Sequence, residues 1–197
     1  MIAIFDYGAG NLRSVQNTLA EIGATYTLTR DREDLRAASK IILPGVGHFG
    51  QMMRALDALD VRQTLLDRIA AGVPFLGICL GLQALLSDSE EAPEERGLGL
   101  YPGKVRRFPA DARVPHMGWN QLEPKAPSKL LANLQPSPYV YFAHSYYVPE
   151  NPATAASCTY TAPYTAVLED RNVFGVQFHP EKSGPVGLQI VRNFLDL

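Results

Sequence analysis

Val73-Pro74-Phe75-Leu76-Gly77-Ile78-Cys79-Leu80-Gly81-Leu82-Gln83-Ala84-Leu85-Leu86 is the stretch from which the rest of the chain can be read. Val73 to Ile78 is apolar and opened by a proline, the pattern of a buried parallel strand. From Leu80 the leucines fall at helical spacing, and Leu82, Leu85 and Leu86 would share one face. Cys79 stands at the junction, inside Gly77-Ile78-Cys79-Leu80-Gly81. That is a G-x-nucleophile-x-G elbow with cysteine as the nucleophile. A strand turning sharply into a helix strains the residue between them, and flanking glycines leave room for the close approach. The sulfur would then sit at a helix N-terminus, where free amides and the macrodipole favour thiolate. The Leu80 amide would form half of an oxyanion hole. The rival reading is a buried cysteine packing as a small hydrophobe.

Working outward, the 197 residues suit one large domain, residues 1–197. Hydrophobic residues make up 46% and charged residues 19%, so the chain has the composition of a globular protein. A net charge of −2 offers no electrostatic footprint for nucleic acid or an anionic membrane. No apolar run approaches the roughly 20 residues that span a bilayer, and Met1–Asp6 does not read as a signal peptide. The two cysteines, Cys79 and Cys158, cannot make a disulfide scaffold, so a reducing cytoplasm is the expected location. No Cys/His cluster has metal-ligand spacing, so neither metal nor cofactor is expected.

On the N-terminal side, Ile2–Phe5 reads as a strand leading through Asp6-Tyr7-Gly8-Ala9-Gly10-Asn11 to an amphipathic helix. The glycine pair lacks the rest of a dinucleotide fingerprint. Thr25–Leu28 and Lys40–Leu43 read as strands, with Pro44 halting the second. Gly45-Val46-Gly47 follows as a loop able to turn its amides toward a ligand, or a tight turn with glycines for steric reasons. Met52–Leu59 and Val61–Ala71 read as helices, the latter capped by Asp60. On the C-terminal side, Asp88–Arg96 reads as a solvated acidic loop. Pro102-Gly103 reads as a turn, Val114–Leu122 as irregular, and Tyr139–Val148 as an aromatic strand. Ala153–Thr159, Thr165–Glu169 and Val173–Phe178 read as further strands, and Val186–Leu195 as a closing helix. A βα-alternating first half and a strand-rich second half predict one mixed, mainly parallel sheet flanked by helices.

A cysteine nucleophile needs a base, and the base needs an orienting carboxylate. Of His48, His116, His144 and His179, the last stands at a strand end two residues before Glu181. A turn at Pro180 would fold that carboxylate back onto the imidazole. The expected triad is therefore Cys79–His179–Glu181, performing acyl transfer through a thioester. His144 is expected to be structural or to support the site from behind. His48 and His116 receive no chemistry, and Cys158 is expected to be structural.

Gly77-Ile78-Cys79-Leu80-Gly81-Leu82-Gln83, Pro44-Gly45-Val46-Gly47 and Gly175-Val176-Gln177-Phe178-His179-Pro180-Glu181-Lys182-Ser183 together resemble the class I, triad-type glutamine amidotransferases, of flavodoxin-like α/β fold. More narrowly, Asp6-Tyr7-Gly8-Ala9-Gly10-Asn11, Val114-Pro115-His116-Met117-Gly118-Trp119-Asn120 and the His144-Ser145-Tyr146-Tyr147 segment resemble the glutaminase subunits of imidazole glycerol phosphate synthases of histidine biosynthesis. The resemblance runs from Ile2 to Phe194. It implies that L-glutamine is the substrate, attacked by Cys79. The oxyanion would be held by the Leu80 amide and one from Gly45, Val46 or Gly47, a loop that in the family reorients when the partner's substrate binds. Gln83, Ser145 and Tyr146 match glutamine-holding positions. Asn11, Trp119, Tyr141 and Lys182 match positions facing a (β/α)8 cyclase subunit. That barrel takes the ammonia and converts an N-(phosphoribulosyl)formimino-aminoimidazole carboxamide ribotide to imidazole glycerol phosphate. Leu82 and His48 depart from the usual family residues. The competing expectations are a stand-alone cysteine peptidase or amidase, and a non-catalytic regulatory subunit; the presence of all three triad residue types speaks against the second.

Overall fold

A computed structural model describes residues 1–9 and 11–197. Gly10, the second glycine of the first loop, lies outside the described residues. In chain order the elements are β1 (Ile2–Phe5), α1 (Leu12–Ile22), β2 (Tyr26–Thr29), α2 (Arg32–Ala37), β3 (Lys40–Gly45), α3 (Phe49–Ala58), α4 (Arg62–Ala70), β4 (Phe75–Cys79), α5 (Leu80–Gln83) and β5 (Leu86–Ser89). There follow β6 (Tyr101–Arg107), β7 (His116–Gln121), β8 (Glu123–Pro124), β9 (Tyr139–His144), β10 (Tyr146–Tyr147), β11 (Thr154–Thr159), β12 (Pro163–Asp170) and β13 (Val173–Val176). A 3₁₀ turn (Pro180–Lys182) and α6 (Gly184–Leu195) close the chain.

Among the described residues the main sheet has eight strands in the order β2-β1-β3-β4-β13-β12-β11-β8. From β2 to β13 every pairing is parallel, and β12, β11 and β8 are then added antiparallel. Side chains on the parallel strands alternate between two cores. Ala3, Phe5, Ile41, Leu43 and Phe75 pack with residues of α2, α3 and α4. Ile4, Ile42, Leu76, Ile78 and Val176 pack with residues of α1 and α6. Burial on both faces is why these strands read as continuous apolar runs. A second layer crosses the carboxyl edge of the sheet: β10 and β5 flank β6, and β7 pairs antiparallel with β9.

Several local expectations are corrected. β3 runs through Pro44 to Gly45, because β1 stops pairing with it at Ile42 and the open edge tolerates a residue without an N–H. Asp60 does not cap α4. It takes a left-handed backbone with φ 53°, and its carboxylate pairs with Arg32 at 2.6 Å, while Val61 opens the helix with no side-chain cap. The helix after Cys79 is a single turn. The Leu85 carbonyl accepts the amides of Leu100 and Tyr101, and Leu86 enters β5 against Tyr101, so tertiary pairing overrides the leucine periodicity. Pro102 and Gly103 lie inside β6 and not in a turn, next to a register shift between β5 and β6. Val114–Leu122 contains a regular strand, β7. Its outward face carries Met117 and Trp119, 64% and 56% exposed, so the usual apolar-inside alternation is inverted there and masks the strand.

Candidate active site

The site forms where the parallel strands end. In the β3–β4–β13 register, Gly45 lies beside Cys79 and Val176 beside Ile78. The chain leaving β13 therefore delivers Gln177 and His179 next to the end of β4, across a hundred residues of sequence. This is the carboxyl edge at which open α/β sheets bind ligands.

Cys79 has φ 54° and ψ −103°, a left-sided conformation that non-glycine residues avoid. The elbow spacing has a measurable reason. A Cβ on Gly81 would lie 2.0 Å from the Leu43 carbonyl oxygen, and one on Gly77 would lie 2.4 Å from the Gly81 carbonyl oxygen. Only bare backbone fits between β3, β4 and α5, and that crowding forces the bend which exposes the sulfur to the cavity. Cys79, Leu80, Gln83, Val46, Gly47, Ser145, Tyr146 and His144 all line a cavity of about 190 Å³, with Glu91 and Pro115 completing its wall.

His179 is buried, and its Nδ1 lies 2.9 Å from Glu181 Oε1; both side chains are almost solvent-free. The turn at Pro180 places the carboxylate under the ring as the spacing predicts. Burial disfavours the imidazolium, but Cys79 and then Glu181 more than offset it, raising His179 to about 10. The pair therefore spends Nδ1 on Glu181 and leaves Nε2 for the sulfur. Glu181 Oε2 is buried without a hydrogen-bond partner. It belongs to the wall of a second cavity of about 240 Å³ between α1 and α6, on the far side of the triad turn.

The expected oxyanion residues divide. Leu80 opens α5, where the first amides have no intrahelical partner. Gly45 is a strand residue whose missing side chain makes room: a Cβ there would meet Met52 at 2.4 Å and Leu80 at 2.8 Å. Val46 and Gly47 reach the cavity, but the Val46 N–H donates to the Tyr7 hydroxyl at 3.0 Å and so is turned away from it. In this conformation the structure does not bring a Val46 donor to Cys79.

Gln83 donates its amide to the Tyr146 carbonyl at 2.8 Å and to Gln177 Oε1 at 3.1 Å, leaving Oε1 as the atom it offers a ligand. Gln177 in turn points its amide at the Cys79 sulfur, 3.6 Å away. Reasoning from sequence missed Gln177, although its place two residues before His179 on an extended chain puts both on one side. Glu91 was also missed. Its Oε2 accepts from the Phe49 amide at 2.8 Å, at the start of α3, so part of the acidic loop is a brace and a cavity wall. Nothing in the sequence marks it out.

His144 is the supporting residue its position suggested: Nδ1 lies 2.8 Å from the Tyr146 carbonyl and Nε2 3.3 Å from the Tyr164 hydroxyl. That hydroxyl is 3.2 Å from His116 Nδ1. Burial holds His144 down at about 3 and His116 at about 4, so both rings are neutral. With Nδ1 of His144 donating to the carbonyl, Tyr164 must donate to Nε2 and accept from His116. His116 is thus a buried strand residue and not a loop residue. His48 caps α3, accepting the Gly50 amide at 3.1 Å. Cys158 is buried, and burial pushes its thiol up to about 11, in keeping with a structural role.

The four expected partner-facing residues lie outside the cavity. Trp119 and Tyr141 are directly opposite on β7 and β9, their rings 6.1 Å apart and edge to face. Lys182 Nζ sits 5.8 Å from the Tyr141 ring centre. Asn11 opens α1, which packs against the Pro180–Lys182 turn, and accepts from the Ser14 hydroxyl at 2.8 Å. Met117, Trp119 and Tyr139 expose large apolar side chains on this one ribbon. Among the described residues, no helix is long and apolar enough to cross a membrane.

A cysteine strained at a strand–helix bend, with a histidine–carboxylate pair arriving from the neighbouring parallel strand, is the arrangement of a triad acyl-transfer enzyme. The chain belongs to the class-I glutamine amidotransferase family, whose model matches residues 3–197. It is 51% identical to the imidazole glycerol phosphate synthase subunit HisH of Methanothermobacter thermautotrophicus, over 100% of this chain and 98% of that one. It is 47% identical to the subunit of the same name from Desulfitobacterium hafniense, over 98% of this chain and 93% of that one. With its counterpart from Chlorobium luteolum it shares 44% over the full length of both. Among solved structures, one described as a glutamine amidotransferase superposes with a TM-score of 0.78 at 19% identity, covering 99% of this chain and 97% of the other. PurLQS from Thermotoga maritima gives 0.74 at 19%, with 99% and 97% covered. At these identities both support the fold alone.

Proposed function

We infer that residues 1–197 act as one unit, the glutaminase subunit of an imidazole glycerol phosphate synthase. The observation that carries the reading is the buried His179–Glu181 pair beside Cys79, whose sulfur lies at the wall of a cavity large enough for an amino acid. The Cys79 sulfur attacks the side-chain amide carbon of glutamine. The tetrahedral oxyanion is received by the Leu80 amide, aided by a second donor from the Val46–Gly47 loop. His179 gives its proton to the departing nitrogen, ammonia leaves, and a thioester remains. His179 then takes a proton from water, which attacks the thioester and releases glutamate. Glu181 keeps the imidazole in the tautomer and orientation both steps need. Gln83, Ser145 and Tyr146 hold the glutamine; Gln177 fixes the sulfur.

Ammonia released into open water would be protonated and lose its nucleophilicity, so the reading includes transfer to a (β/α)8 cyclase seated on the Trp119–Tyr141–Lys182 surface. Such an enzyme works in the cytoplasm. The test is glutamate release by this chain mixed with a cyclase subunit and its ribotide substrate. Cys79→Ala abolishes turnover while leaving association with the cyclase intact. Full turnover by Cys79→Ala overturns the assignment, as does brisk peptide hydrolysis by a chain that ignores glutamine.

A further inference from the structure

We propose that Tyr7 is a positioning residue whose hydroxyl clamps both peptide groups of Val46, holding the second oxyanion donor out of the cavity and setting the resting rate of glutamine hydrolysis. The proposal rests on the glutaminase reading above and adds to it a residue that the triad chemistry does not use.

The observations are geometric. Tyr7 lies two residues beyond β1, at the same sheet edge as Cys79, and its side chain is buried. Its hydroxyl donates to the Val46 carbonyl at 2.7 Å and accepts from the Val46 amide at 3.0 Å. One oxygen therefore holds the peptide before Val46 and the peptide after it. Val46 and Gly47 line the cavity beside Cys79 and Leu80. Gly45, one residue earlier, is in register with Cys79. Val46 is thus the first residue past the strand pairing, placed to offer its N–H across from that of Leu80, yet it spends that N–H on Tyr7.

Two neighbours make the clamp a device that can open. Gly45, immediately before Val46, has the conformational freedom of glycine, so the Gly45–Val46 peptide, which carries this N–H, has a low-cost route to reorient. Pro44 before it has no N–H to re-pair. Burial is what pushes the Tyr7 hydroxyl up to about 12, against the opposing pull of the Val46 bond. The group therefore keeps its proton and can donate and accept at once throughout the neutral range. Turning the Val46 N–H toward the cavity exchanges the bond to Tyr7 for one to the substrate oxyanion. That exchange is favourable only once negative charge has developed on the substrate, or once another contact has already moved the loop.

The test uses this chain in complex with a cyclase subunit, assayed for glutamate release without and with N-(phosphoribulosyl)formimino-aminoimidazole carboxamide ribotide. Tyr7→Phe keeps the buried ring and removes the oxygen. Without the ribotide, kcat rises about tenfold, equivalent to about 1.4 kcal/mol, with KM unchanged; with the ribotide, kcat stays at the wild-type value. A merely structural tyrosine would lower both rates. An unliganded kcat equal to or below wild type overturns the proposal. Should the variant not fold, hydrogen exchange at the Val46 amide of the wild-type complex decides. Protection without the ribotide that is lost with it supports the clamp; an amide exchanging freely without the ribotide, or protected equally in both states, overturns it. Cys79→Ala is run in parallel. Turnover by that variant would sink the glutaminase reading itself, whereas an inactive Cys79→Ala beside a silent Tyr7→Phe removes the clamp alone.

Discussion

Glu181→Gln isolates what the triad carboxylate contributes, because it keeps the volume and removes the charge. In the structure Glu181 Oε1 sits 2.9 Å from His179 Nδ1, and both side chains are almost fully buried. A buried bond to a charged partner is worth about 1.5–3 kcal/mol. His179 is already an imidazolium at neutral pH, so the lost charge depletes the thiolate–imidazolium pair that attacks, and that energy comes out of kcat, a fall of roughly 10- to 150-fold. In the proposed reading glutamine is held by the cavity around Gln83 and Tyr146, so KM is expected to move little. The charge has a second consequence. His179 is raised to about 10 by Cys79 first and by Glu181 after it, so the variant titrates at lower pH. A group raised in the folded state stabilises below its unfolded pKa of about 6.5, and that stability is lost as pH rises through the folded value. Glu181→Gln therefore melts lower than wild type at neutral pH. The loss is partly offset, because the unpartnered Oε2 ceases to be a buried charged atom. A net loss of about 1–2 kcal/mol corresponds to a melting shift of roughly 2–8 °C. The assay is the pH dependence of kcat for glutamate release by the complex, beside thermal melts. A variant with kcat within threefold of wild type and an unmoved pH profile would refute the orienting role.

Three further outcomes are expected. Gly81→Ala should lower the melting temperature by roughly 5–10 °C and take glutaminase activity with it. Its Cβ would meet the Leu43 carbonyl at 2.0 Å, a backbone atom that can yield only if β3 and α5 separate; a variant melting within 1 °C of wild type would contradict the crowding account. Acid should destabilise the fold as pH falls from about 6.5 toward 4, because burial depresses His144 and His116 in the folded state while the unfolded chain takes up their protons. Each contributes a slope of about 1.4 kcal/mol per pH unit; urea midpoints that stay level between pH 6.5 and 5 would refute it. Trp119→Ala should leave the melting temperature nearly unchanged, since the side chain is 56% exposed, but weaken association with the cyclase by roughly 30-fold or more if it is a hot spot. Equal affinity by titration calorimetry would remove Trp119 from the interface.

The parallel half of the fold was legible because its strands are buried on both faces and its helices separate them, so apolar runs and amphipathic periods appear in alternation. Legibility failed wherever a long-range partner settled a local choice. Leu82, Leu85 and Leu86 carry a helical period, yet Leu86 pairs with Tyr101, fifteen residues away. Pro44 looks like a strand terminator, but nothing in its neighbourhood reveals that β1 has already stopped pairing. In β7 the cause is different. A strand that offers Met117 and Trp119 to solvent inverts the pattern by which strands are recognised, and the exposed apolar side chains it leaves are what the proposed partner would cover. At the candidate site, the pairing of His179 with Glu181 was legible because both sit in one short motif, and Cys79 was singled out as the candidate nucleophile by another. Gln177 and Tyr7 act through contacts spanning 98 and 39 residues, and a single sequence carries no record of those.

The ribbon proposed to face the partner and the proposed catalytic base, His179, are held by the same backbone. The Tyr141 carbonyl accepts the His179 amide at 2.9 Å. The Tyr141 amide donates to the Ser183 hydroxyl at 3.0 Å, and that hydroxyl donates to the His179 carbonyl at 2.7 Å. Both peptide groups of His179 are thereby tied to one residue of β9, directly or through a single side chain. Tyr141 is also the residue whose ring meets Trp119 and Lys182 on the outer face. A body seated on that face therefore bears on the strand that positions the imidazole, with no intervening layer of packed side chains. Three residues further along, β9 ends at His144, whose ring holds the Tyr146 carbonyl and through it Gln83. One strand thus carries the outer contact surface, the anchor of the base and a wall of the cavity. For the proposed enzyme, whose product must not escape into water, that economy has a physical consequence: a partner docked on this face would bear directly on the alignment of the proposed base.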